Sequence, residues 1–318
     1  MCKSVGYETN YNCDNFCADG GCVVGLGARN ALNRYGRDSR NTLGARQRLA
    51  YSGADHCWLA TDRNGNSSVT GIATNTYKML ADSLAARGYA SLRYDKRGIA
   101  ASVAAGADES QLTFDAYIDD AAAWAEWLAA DERFDRVVLA GHSEGGLIAL
   151  VAAKRTDKVV AVVTLAGVGE SIDATLRRQL GTQPEPYRSE CMRIIDELKA
   201  GRTVSDPMPE LAALFRPSVQ PFLISQMRYE PSTEARTLTQ PLLVVQGTTD
   251  IQINLNDAIK LSTVNPRTRL AIVSEMNHVL KPCTSLDQQA QMMTYINDTL
   301  PLAPTLVATI ADFLSKLD

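Results

Sequence analysis

From about residue 60 onward, apolar positions follow two alternating periods along the chain. Residues 73–87 carry them at helical spacing and stop at Gly88; 89–94 then reads as a short strand that runs into the polar turn Asp95-Lys96-Arg97-Gly98. A second helix is predicted over 114–130, rich in alanine with Trp124 and Trp127, and hands over to a strand at 136–140. Residues 143–154 have the composition of a buried helix, and 159–165 is a β-branched run of the kind found in central parallel strands. Between 167 and about 240 the alternation breaks into a charged, proline-dotted stretch with helical segments at 188–200 and 210–215. It resumes with a strand at 241–246, a helix at 256–262, a strand at 269–273 and a closing helix at 306–317.

This order predicts an α/β fold with a mostly parallel central sheet and helices on both faces. The stretch at about 168–240 is an insertion, expected to sit as a helical cap over the sheet's C-terminal edge, where open α/β sheets bind ligands. Residues 1–58 differ: they are dense in Gly, Asn, Arg and Cys and show neither strand alternation nor a helix. They form an anomalous N-terminal segment, expected to be disordered, foreign or frame-shifted, ahead of a domain at 59–318.

Composition narrows the function classes. A formal charge of −4, with 21% charged residues, gives no basic surface for nucleic acid. No apolar run approaches the length of a membrane span and no signal-peptide core opens the chain, so the default location is the cytoplasm. Five of the seven cysteines fall in the first 57 residues. Cys13, Cys17 and Cys22 are spaced like thiolate ligands, but no second CxxC or HxxxH completes a four-ligand zinc set, and no metal is expected.

The segment Gly141-His142-Ser143-Glu144-Gly145 holds the Gly-x-Ser-x-Gly pattern. By chance this pattern arises in about one chain in ten of this length. Here it follows a predicted strand and opens a predicted helix, the setting in which a serine on a strained turn becomes a nucleophile. A serine hydroxyl needs a base within reach. Of the three histidines, His142 adjoins the serine and points away, His56 lies in the anomalous segment, and His278 follows the predicted strand 269–273. The imidazole in turn needs a carboxylate. Asp250 stands on the loop after a strand and gives the chain order Ser, Asp, His; Asp257 is its rival, inside a predicted helix with Asn256 as cap.

From Thr61 to Asp318 the chain resembles bacterial α/β-hydrolase carboxylesterases, close to the serine aminopeptidase-like branch. The resemblance rests on Thr61-Asp62-Arg63-Asn64-Gly65-Asn66-Ser67, Tyr94-Asp95-Lys96-Arg97-Gly98, the elbow, and Gln246-Gly247-Thr248-Thr249-Asp250 with Met276-Asn277-His278. It implies an α/β-hydrolase fold of about eight strands, an acyl-enzyme mechanism, and neither metal nor organic cofactor. One departure stands out. Such proteins have an apolar strand and a glycine-rich turn just before Thr61, where this chain reads Asp55-His56-Cys57-Trp58-Leu59-Ala60, so an upstream frame error or a foreign N-terminus is the favoured explanation.

The expected activity is cleavage of small to medium carboxylic esters, with Ser143 as nucleophile, His278 as base and Asp250 as its orienting carboxylate. The alternatives are a peptidase or amidase with the same triad, and a non-catalytic or impaired protein on this fold. The backbone N–H of Glu144 and one from Trp58 or Leu59 are the expected oxyanion donors. Asp95 and Arg97 are read as a loop-fixing pair. Phe215, Phe222, Leu223 and Met227 are expected to pack the cap or line the acyl pocket. A small-molecule ester is the only partner expected.

Overall fold

The computed structural model describes residues 61–68 and 70–317, together with the backbone of two earlier strands. In chain order the strands are β1 (Gly25–Leu26), β2 (Gln47–Ala54), β3 (Asn66–Ser67), β4 (Ile72–Ala73), β5 (Tyr89–Arg93), β6 (Val137–Ser143), β7 (Val159–Leu165), β8 (Leu242–Gly247) and β9 (Thr268–Val273). The helices are α1 (Thr76–Ala85), α2 (Phe114–Ala129), α3 (Glu144–Arg155), α4 (Ile172–Leu180), α5 (Tyr187–Lys199), α6 (Ala212–Phe215), α7 (Gln220–Gln226), α8 (Pro231–Thr237), α9 (Leu255–Thr263), α10 (Gln288–Tyr295) and α11 (Leu306–Leu314).

Seven strands among the described residues form the main sheet. β2, β6, β7, β8 and β9 run side by side in parallel; β5 joins β2 in parallel and β1 pairs with it antiparallel. β3 and β4 form a separate hairpin. The central strands are apolar on both faces because both faces are covered. Val137 and Leu139 of β6, Val162 of β7, and Leu242 and Val244 of β8 pack into one core with α2, α3 and α9. Their alternates, Val138 and Ala140, Val163 and Leu165, Leu243 and Val245, pack into a second core with α1 and α11. The period of two thus sorts each strand between two helical layers.

One expectation is corrected here. The sequence shows no strand before residue 59, yet β2 is an inner strand of the sheet, paired from Leu49↔Val138 through Ala54↔Ser143. Its residues, Gln-Arg-Leu-Ala-Tyr-Ser-Gly-Ala, include no valine, isoleucine or threonine, so neither propensity nor alternation marks it; pairing on both edges holds it. The sheet therefore draws on the stretch that the sequence set apart.

The insertion folds as α4 to α8. Ile172, Leu176, Cys191, Ile194, Ile195, Leu198, Leu214, Phe215, Leu223 and Met227 make its own core, so Phe215, Leu223 and Met227 pack the cap. Phe222 turns the other way, against Phe114 and Tyr117 of α2, with ring centroids 5.9 and 5.2 Å apart. α8 returns to the main body through Ala235, ahead of Leu238 in the same core. Among the described residues, no helix is long and apolar enough to cross a membrane.

Candidate active site

Ser143 ends β6 and caps α3 with φ 53° and ψ −122°, a conformation that side chains with a Cβ seldom hold. The sharp strand-to-helix turn brings the carbonyl of Gly145 against Gly141, where a Cβ would lie 1.8 Å from that oxygen. Glycine at 141 is thus a condition of the turn rather than a preference. Parallel pairing of β6 with β2 and β7 fixes the strand below it.

Asp250 lies on the loop after β8, and its side chain is fully buried. The carboxylate is held at both oxygens. Oδ1 accepts from the N–H groups of Gln252 at 2.8 Å and Ile253 at 2.9 Å, and Oδ2 accepts from Nε2 of Gln246 at 3.1 Å. Nδ1 of His278 completes the set at 2.9 Å from Oδ2. An N–H at Nδ1 donating to the carboxylate leaves Nε2 as the basic nitrogen.

The His278 loop is tied down on several sides. Its carbonyl accepts from Nε2 of His142 at 2.7 Å, while Nδ1 of His142 lies 3.0 Å from the Tyr77 hydroxyl. With Nε2 donating, Nδ1 accepts from Tyr77, and one tautomer of His142 serves both bonds. The His142 and His278 rings stand 4.8 Å apart, which brings His278 alongside the residue next to Ser143. The Thr76 hydroxyl donates to the carbonyl of Val279 at 2.9 Å, and Asn277 Oδ1 accepts from the Lys281 N–H at 3.0 Å. Gly247 lets the loop close in: a Cβ there would meet the carbonyl of Met276 at 1.9 Å.

Lys281 is buried beside this loop, with Nζ donating to the carbonyl of Leu300 and lying 3.0 Å from Sδ of Met79. Burial pushes its ammonium down to about 8, against a smaller opposing pull from Asp298. A cavity of about 10 Å³, lined by Tyr77, His142, His278, Val279 and Tyr295 among others, lies behind the histidines. It has room for about one water, so it cannot hold a substrate.

Of the expected site residues, the structure joins Asp250 to His278, and the His278 ring stands 4.8 Å from that of His142, the residue before Ser143. Asp257 goes elsewhere. It completes a capping box at the start of α9 with Asn254, not Asn256, as the cap, and its carboxylate also binds the N–H of Gly169 and the guanidinium of Arg178. Asp95 and Arg97 fix their loop through separate partners. Asp95 accepts from the N–H of Arg63 at 2.7 Å and of Ala101 at 3.3 Å, whereas Arg97 forks onto Asp120 with two bonds of 2.7 Å. Trp58, Leu59, His56, Cys13, Cys17 and Cys22 lie outside the described residues.

Two contacts at the elbow escaped the sequence reading. Glu144 is buried, with Oε1 3.7 Å from Nζ of Lys96 and Oε2 accepting from Nε2 of Gln226 at 3.0 Å. Lys96 was visible only as part of a motif, and nothing in the sequence pointed to Gln226. The His142 to Tyr77 link was equally hidden, since 65 residues separate the two.

Residues 71–205 match the family model described as serine aminopeptidase, S33, a span that contains Ser143 and ends before Asp250 and His278. No curated protein matches the chain. Among solved structures, the chain is similar to Est1E from Butyrivibrio proteoclasticus, solved with ferulic acid bound, at 16% identity and a TM-score of 0.52, covering 84% of this chain and 88% of that one. It is similar to BpoC from Mycobacterium tuberculosis, named for non-heme bromoperoxidase, at 17% identity and a TM-score of 0.50, over 85% and 92% of the two chains. The Pyrococcus furiosus esterase Pf2001 is similar at 15% identity and a TM-score of 0.50, over 84% and 82%. At such identities the likeness is one of fold, and it agrees with the two-sided parallel sheet and the strained turn after β6: the chain has the fold of the α/β-hydrolases.

Proposed function

We propose that the protein is a serine hydrolase that cleaves carboxylic esters of small to medium acyl groups through an acyl-enzyme on Ser143. The observation that carries this reading is the buried pair of His278 Nδ1 and Asp250 Oδ2 at 2.9 Å, with the His278 ring 4.8 Å from that of His142, which precedes a serine in a strained strand-to-helix turn. In the proposed reaction the Ser143 oxygen attacks the ester carbonyl while Nε2 of His278 takes its proton. Asp250 stays ionised and stabilises the imidazolium. The N–H of Glu144 receives the oxyanion; the second donor expected from the sequence, at Trp58 or Leu59, lies outside the described residues. His278 returns the proton to the leaving alcohol, and water repeats the sequence on the acyl-enzyme.

A fluorophosphonate probe followed by peptide mapping tests this. Labelling is expected at Ser143 and lost in Ser143→Ala; an unlabelled, folded wild type would sink the reading. The family match to serine aminopeptidases favours a second reading, hydrolysis of an amide by the same triad. Paired kinetics on a p-nitrophenyl ester and an aminoacyl anilide separate the two, because the poorer amine leaving group places more demand on proton return from His278.

A further inference from the structure

Glu144 sets a carboxylate on the residue whose N–H faces the developing oxyanion. That placement is awkward in two ways. A buried carboxylate is costly unless it is paired, and a negative charge at this position opposes the charge that forms on the substrate oxygen in the transition state. The structure supplies a cation at this point. Lys96, on the loop after β5 and as buried as Glu144, brings Nζ to 3.7 Å from Oε1. The same ammonium lies 5.3 Å from the centroid of the Tyr117 ring, whose hydroxyl donates to the carbonyl of Arg97 and so braces the loop. Gln226, the last residue of α7, holds the other carboxylate oxygen. Two segments, 48 residues before Glu144 and 82 after it, converge on one side chain at the elbow.

We infer that Lys96 is a positioning residue for the reaction: it holds the Glu144 carboxylate and cancels its charge, so that the Glu144 N–H meets the oxyanion without an opposing charge beside it. The inference rests on the acyl-enzyme reading given above. Because the repulsion grows only as the substrate oxygen becomes negative, loss of Lys96 acts on the transition state more than on substrate binding.

The test compares wild type, Lys96→Met, Lys96→Arg and Lys96→Met/Glu144→Gln on p-nitrophenyl butyrate, with active sites counted by a fluorophosphonate and folding followed by circular dichroism. Lys96→Met is expected to lose roughly 10- to 100-fold in kcat with KM within about threefold, the scale of one uncompensated charge near an oxyanion site. Lys96→Arg, which keeps the charge, is expected to retain more activity than Lys96→Met. The double variant is expected to recover most of the loss, although it carries one more substitution. A folded Lys96→Met with near-wild-type kcat overturns the inference, as does a loss that Glu144→Gln does not relieve, since a merely structural lysine would give that pattern. Should Lys96→Met not fold, the double variant decides: kcat within about tenfold of wild type supports the inference, and a loss beyond about 100-fold overturns it. A wild type that fails to label at Ser143 counts instead against the acyl-enzyme reading beneath it.

Discussion

In the proposed mechanism a single carboxylate oxygen orients the base. Oδ2 of Asp250 faces Nδ1 of His278, and the other contacts to that carboxylate come from backbone N–H groups and from Gln246, which keep it in place. Asp250→Asn preserves the size of the side chain but can turn an NH₂ toward the imidazole, which favours the tautomer with its proton on Nε2. The expected result is a fall in kcat on the order of 10⁴-fold with little change in KM, read by steady-state ester hydrolysis. Asp257→Asn is the control: a loss of about 1 kcal/mol from the weakened capping box, read by urea unfolding, with kcat retained. Ser143 was legible in the sequence because the demands of its turn fall on residues two positions away. Asp250 stood out as a candidate because it lies on the loop after a strand and gives the chain order Ser, Asp, His. The Glu144 side chain was not, since its meaning depends on Lys96 and Gln226, and no local pattern links them.

At the scale of elements, the strands covered on both faces were the easiest to read. β7 has the bounds 159–165 that its β-branched run predicts, because a strand buried on both sides is apolar at nearly every position, Thr164 being the exception here. β2 was lost for the opposite reason, having few strand-forming residues and deriving its place from its neighbours. α10 was also missed: Gln288–Tyr295 is short and polar, anchored by its Asp287 cap at 2.9 Å and by Gln291, which donates to the carbonyls of Thr249 and Ser285. The cap helices were visible as a helical stretch but not as a separate core. That separateness is testable. Phe215→Ala should cost about 3–5 kcal/mol of local packing. Amide exchange is expected to rise first within 172–227, while β6 and β7 stay protected, and KM is expected to rise more than kcat falls. Uniform loss of protection across the sheet would count against an independent cap core.

For the molecule as a whole, Lys281 links the site's supporting loop to stability. Its ammonium titrates at about 8 in the folded protein against 10.5 for the free side chain, because burial disfavours the charge. Between those values the unfolded chain binds a proton that the native state has released, so this group makes unfolding less favourable as pH rises from about 8 toward 10.5. Below about 8 both states are protonated, and the cost of the buried charge is at its largest. Urea unfolding of wild type and Lys281→Met at pH 7.5 and 9.5 checks the sign: wild type is expected to gain relative to the variant, by up to about 1.4 kcal/mol per pH unit inside the window. A gap that stays the same at the two pH values would show that the lysine is charged throughout. The same division runs through the entire protein. The sequence alone determined the alternating layers, the helical stretch that interrupts them and the candidates Ser143, Asp250 and His278, because periodicity, turn chemistry and chain order are written in neighbouring residues. Tertiary structure alone decided the place of β2, the Tyr77 to His142 support of His278 and the meeting of Lys96, Glu144 and Gln226, because those depend on contacts between segments that only the packed sheet and cap bring together.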